Sequence, residues 1–153
     1  MRRTLLGIGA GMIVLLQLIG CAGPRNYVAR VPKEQSELFV CAPRQLIASN
    51  YNIVDSSKEA GFIRASKQTT GGGAQVFLNI TLFDELNISI ASAPDGSSQM
   101  RVNAVTSREQ YSGANSGAGG RTQEQPSETV IKDAESIIET CTGQSASSSL
   151  VVQ

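Results

Sequence analysis

The chain of 153 residues has no histidine and no tryptophan. Missing histidine removes the commonest general base and the commonest imidazole metal ligand. Aromatic residues are also scarce, with three tyrosines and four phenylalanines. A small core uses most of these, so Tyr51 and Phe62 are expected as core residues and not as a platform for stacked ligands. Neither charge sign is in excess, since thirteen Lys and Arg face thirteen Asp and Glu. Without residues 1–20, eleven basic residues remain against thirteen acidic ones, a net charge of −2. No basic face is implied, which argues against a nucleic-acid partner. Three consecutive glycines occur at 71–73 in "TTGGGA", but no Gly-Lys-Ser/Thr follows them, so they read as a loop and not a phosphate cradle.

The composition is that of one globular domain, 41% hydrophobic and 17% charged. The N-terminus reads in three parts: basic "MRR", apolar "LLGIGAGMIVLLQLI", and a small residue, Gly20, before Cys21. This is the physical pattern of a secretory signal. Fifteen helical residues would rise ~22 Å, short of a hydrocarbon core of ~30 Å. That shortfall weighs against an uncleaved membrane anchor. "Leu18-Ile19-Gly20-Cys21" resembles the lipobox of bacterial lipoproteins. The resemblance implies diacylglycerol on the Cys21 sulfur, cleavage between Gly20 and Cys21, and further acylation (palmitate or a similar chain) of the new N-terminus. Two or three chains give stable attachment where one is marginal. Ala22, in place of aspartate, implies the outer membrane by the sorting rule of enteric-type bacteria, with the domain facing the periplasm.

Residues 21–35 hold two prolines, mixed charges and no period, and read as a lipidated tether. A single domain is expected over 36–143, followed by a flexible tail over 144–153. The domain is expected to be α+β in the order α-β-β-β-β-α, with an antiparallel sheet of about four strands and both helices on one face. A helix is expected over 41–50, starting as early as Ser36, with Pro43 in its first turn. Alternation predicts strands over 51–55, 61–68, 85–93 and 99–109. The segment 76–83 reads as either a strand or an apolar linker, and Gly- and Ser-rich 112–126 reads as a flexible loop. Gly61 allows a tight turn between the first two strands, and Pro94-Asp95-Gly96 makes another. The last helix is the clearest element. Val130, Ala134, Ile137, Ile138 and Cys141 fall on one face, with Ser127 as start cap and Gly143 as end cap.

With Cys21 committed to lipid, Cys41 and Cys141 remain as an even pair in an oxidising compartment. A structural disulfide between them is expected, each lying at one end of a helix. A reactive thiol pair is the alternative, although it lacks Cys-x-x-Cys spacing and a histidine to lower a thiol pKa. The stretch 38–68 runs helix, aromatic residue, strand, polar turn, Ala-Gly-Phe and second strand. This cadence is similar to the helix-grip α+β domains of small bacterial lipoproteins, such as those of the C component of the β-barrel assembly machinery. The resemblance implies a fold and carries no catalytic motif.

Candidate carboxylates are Asp84, Glu85, Asp55, Glu59 and Asp95. Asp84 and Glu85 are adjacent and would point to opposite faces of a strand, so they cannot work as an acid/base pair. Asp95 is a turn aspartate. No Gly-x-Ser-x-Gly and no EF-hand spacing occurs, so neither a catalytic role nor a metal or cofactor is expected. The expectation is a membrane-anchored, non-catalytic interaction or scaffold module of the bacterial cell envelope. It would contact an envelope protein through a sheet edge or an outer helix face. The alternative is a periplasmic carrier of a small apolar ligand.

Overall fold

The structure is a computed structural model that describes residues 23–69, 80–110 and 120–149. Its elements are β1 (Arg25–Val31), α1 (Gln35–Ala48), β2 (Asn52–Ser57), β3 (Phe62–Gln68), β4 (Ile80–Ser92), β5 (Ser98–Gln110), β6 (Gly120–Glu124), α2 (Glu128–Thr142) and β7 (Ser147–Ser149). The fold is α+β with two helices and one antiparallel sheet. Six strands follow the path β2-β3-β4-β5-β1-β7, and a seventh, β6, pairs with β5 beyond the start of β1.

This sheet is larger than the expected four strands, because three short segments carry weak signals of their own. Residues 25–31, expected in the tether, form β1 between β5 and β7. Tyr27, Ala29 and Val31 alternate inward there, and this burial outweighs the flanking Pro24 and Pro32. Residues 120–124, expected in a loop, form β6 by pairing with Thr106–Gln110. Residues 147–149, expected in the tail, pair with β1 as β7. The domain therefore begins well before residue 36 and extends past 143. Of 76–83, Ile80 onward is strand, and 76–79 lies outside the described residues.

The long strands follow their alternation. Asp84, Leu86, Ile88 and Ile90 of β4 are buried, as are Ser98, Met100, Val102, Ala104 and Thr106 of β5. Ile63 and Ala65 of β3 share that face through the register Ile63 with Ile88 and Ala65 with Leu86. This corrects the placing of Phe62 in the core. It pairs with Ser89 on the other face and is only half-buried. Tyr51 does lie in the core, 3% exposed, but in the turn before β2.

Helix α1 starts at Gln35, one residue before the earliest expected start at Ser36, since Leu38, Ala42 and Leu46 recur every fourth residue and all are buried. Pro43 thus sits inside the helix, where its missing N–H leaves the Phe39 carbonyl without its usual helical donor. Helix α2 has both expected caps. The Ser127 hydroxyl accepts from the Val130 N–H at 3.1 Å, and Gly143 is left-handed with φ 75°. The buried residues of α1 and α2 form one cluster with those of β1, β3, β4 and β5. Each fully buried large aliphatic there contributes roughly 1.5–3 kcal/mol.

Past the level of Ala104, where β1 begins, β4 and β5 continue to the pair Ile80–Gln110. β6 lies alongside β5 in this extension, and the end of β3 lies alongside β4 as far as the pair Gln68–Phe83.

Candidate interaction surface

The inward stripe of α1 forces other residues outward by helical geometry. Val40, Arg44 and Ile47 lie on that outer side, with Val40 48% and Ile47 63% exposed. Helix α1 is in contact with β2, the strand that ends the sheet on this side. Along β2 every residue is exposed except half-buried Ser57. Its register against β3 shifts between Ile53 and Asp55, so Val54 is a bulge residue. Ile53 is 37% and Val54 54% exposed, and with Val40 and Ile47 these are the exposed large hydrophobics among the described residues. All four come from two touching elements at one edge of the sheet. Single exposed aliphatics are ordinary, and these four are noted because they sit on two touching elements, one of which is an edge strand with one side open. The bulge and Asp55 keep that edge from being a flat template for indiscriminate pairing.

Behind this edge, a polar cluster fixes α1 and α2 to the sheet. Tyr51 donates its hydroxyl to Asp133 Oδ2 at 3.1 Å. Lys67 Nζ bridges Asp133 Oδ2 at 3.2 Å and the Ser49 carbonyl at 3.1 Å, and lies 4.9 Å from the centre of the Tyr51 ring. Burial, and then the Asp133 carboxylate, push the Tyr51 phenol far above its ordinary range. Asp84, fully buried, accepts from Thr106 Oγ1 at 2.6 Å and from Ser127 Oγ at 2.8 Å. The Ser127 N–H donates to Thr106 Oγ1 at 2.9 Å. Each polar group in this cluster therefore has a structural partner, as burial requires.

The candidate carboxylates are dispersed. Asp84 faces the core, while Glu85 lies on the opposite sheet face, paired with Arg121 at 3.2 Å. Asp55 is exposed on β2 and Glu59 on the following turn. Asp95 accepts from the Ser97 hydroxyl at 2.6 Å and the Ser97 N–H at 3.0 Å, and pairs with Arg30 at 2.9 Å. The two Ser97 bonds hold its carboxyl below the usual range. Among the described residues, no three Cys, Asp or Glu side chains gather where they could hold a metal ion. A shallow dent of about 390 Å³ lies at the far end of the sheet, lined by polar groups such as Gln35, Lys58, Ser92 and Ser98.

Cys41 and Cys141 form a disulfide, with Cα atoms 5.7 Å apart. Cys141 is near the end of α2, as expected, but Cys41 sits in the middle of α1 because that helix begins at Gln35. Gly20 and Cys21 lie outside the described residues. No helix among the described residues is long and apolar enough to cross a membrane. The aliphatic patch was missed in the sequence, although the consecutive Ile53-Val54 in a strand with no room for both on one face was a signal of it. Compared with known proteins, the chain matches no family model and no curated protein.

Proposed function

We propose that the chain is a bacterial lipoprotein, anchored through Cys21 in the outer membrane and facing the periplasm, whose domain is a non-catalytic docking module. In this reading both helices cover the same face of the sheet, in the helix-grip manner. The β2 edge is then left free to take an envelope protein partner. The observation that carries it is that Val40, Ile47, Ile53 and Val54 are all exposed on an edge strand and the helix in contact with it. A partner would add an extended segment to β2 by main-chain hydrogen bonds and rest apolar side chains on the α1 face. The lipobox residues Leu18 to Cys21 support the anchor, and the Cys41–Cys141 bridge suits an oxidising compartment.

Two experiments test the reading. Cys21→Ala should move the protein from the membrane to the soluble fraction, and continued attachment would remove the anchor. A photo-crosslinking residue at Arg44, between Val40 and Ile47, should capture one discrete envelope protein in intact cells. Combined Ile47→Glu and Val54→Lys should abolish that capture while the Cys41–Cys141 bridge still forms. Undiminished capture by the folded double variant would overturn the docking surface.

A further inference from the structure

We propose that the polar dent at the start of α1 binds a free α-amino acid in its zwitterionic form; this rests on neither the anchor nor the docking reading. The dent, about 390 Å³, lies where the first turn of α1, the paired ends of β4 and β5, and Lys58 in the turn after β2 come together. Its volume is at the lower end of the ~300–1,000 Å³ usual for small-molecule sites, which suits a ligand of this size.

The helix start is open. Glu34, the residue before α1, makes no side-chain cap, and its carbonyl takes the Glu37 and Leu38 N–H groups. The Gln35 and Ser36 N–H groups have no partner among the described residues, and both residues line the dent. Such N–H groups, at the positive end of the helix dipole, favour a carboxylate. Ser92 Oγ donates to Gln35 Oε1 at 3.0 Å, which ties this turn to the sheet and holds the two donors in place before a ligand arrives.

Water meets most open helix starts, but here a buried hydroxyl joins them. Ser98 lies on the inward side of β5 and is 1% exposed, yet its hydroxyl has no partner among the described residues. Buried hydroxyls are as a rule paired. Among the described residues, the side-chain atoms sealed from solvent without a partner are Tyr27 Oη, Asn103 Oδ1 and Arg108 Nε. Ser98 Oγ is not one of them, so the little surface it keeps opens into the dent it lines.

Charge selects the ligand. Lys58 is exposed and has no ion pair among the described residues. Glu34 lines the same space, its carboxylate accepting from Ser36 Oγ at 3.1 Å. A simple anion would gain from Lys58 and the helix start but would be repelled by Glu34. A molecule with an ammonium group next to its carboxylate satisfies both charges. Its carboxylate takes the Gln35 and Ser36 N–H groups and the Ser98 hydroxyl, and its ammonium pairs with Glu34.

The test is equilibrium dialysis of the full-length protein in detergent against radiolabelled L-alanine and D-alanine. Propionate, which lacks the ammonium, and alaninamide, which lacks the carboxylate, are the comparisons. At least one alanine enantiomer should bind saturably at millimolar concentration, and both comparisons about fivefold more weakly or worse. Ser98→Ala and Lys58→Met should each weaken alanine about fivefold. Glu34→Gln should weaken alanine but strengthen propionate, which separates a zwitterion site from an anion site. Glu34 and Lys58 are exposed, so their variants keep the test sound should Ser98→Ala fail to form the Cys41–Cys141 bridge. No alanine binding up to about 10 mM, or propionate bound as well as alanine, would overturn the proposal. So would unchanged alanine binding in both Glu34→Gln and Lys58→Met.

Discussion

Gly61 shows how one residue can decide a turn. Its φ is 62°, and a Cβ there would stand 2.0 Å from the Ile90 carbonyl oxygen. The Ile90 N–H meanwhile donates to the Gly61 carbonyl at 2.7 Å, so the backbone cannot retreat without breaking that bond. Gly61→Ala should cost about 3 kcal/mol or more, beyond the usual range for a single methyl group. A urea melt at neutral pH measures it, and a loss under 1 kcal/mol would contradict the close approach. Tyr51 gives a second expectation at this scale. Its phenol is held neutral by burial and by Asp133, so its folded pKa lies above the ordinary 10.0. Its contribution is fully present below that ordinary value and is lost as pH rises past it, because the unfolded chain releases the proton first. Stability should fall steadily as pH rises above about 10. In a spectrophotometric titration, Tyr51 should ionise only on unfolding, and Tyr27, whose pKa is also raised chiefly by burial, should ionise above the ordinary tyrosine value.

Among the elements, α2 joins capping to burial. Ser127 caps its first turn and also donates to buried Asp84, so Ser127→Ala removes two bonds at once. A loss of about 2 kcal/mol is expected, roughly 1 for the cap and the rest for the weakened Asp84. Ser127→Asp would keep a capping oxygen but place a second carboxylate beside Asp84, and it should not restore stability. Thermal melts of the two variants check this. Helix α2 was legible in the sequence because its apolar period, start cap and end cap agree, and β3, β4 and β5 were legible by alternation. Strand β1 carried the same alternation in Tyr27, Ala29 and Val31, but over too few residues to outweigh two nearby prolines. Strand β6, "GRTQE", has no apolar residue, so its pairing comes from the backbone of β5 and leaves no pattern to read. Phe62 was misplaced by one position, and in a strand one position is the opposite face. A sheet edge as the proposed surface was legible only in kind, since which strand would end the sheet depends on a strand order that no local signal encodes.

For the whole molecule, the Cys41–Cys141 bridge spans 100 residues and links the two helices. By chain entropy such a loop stabilises by up to about 4–5 kcal/mol. Cys41→Ser with Cys141→Ser should therefore lower the denaturation midpoint strongly while secondary structure is retained at low temperature. Equal midpoints for the oxidised protein and the double variant would mean that the bridge constrains nothing. The strand order has a consequence for how the chain comes to be folded. Asn26 pairs with Asn103 on one side and with Ser149 on the other, partners 77 and 123 residues further along. Contacts so distant in sequence are slow to form, since a long loop must close before either one is gained. The first strand among the described residues thus gains one neighbour only once β5 has formed and the other only once β7 has. As the chain folds, one edge of β1 therefore stays open until β7, beyond the last turn of α2, is in place.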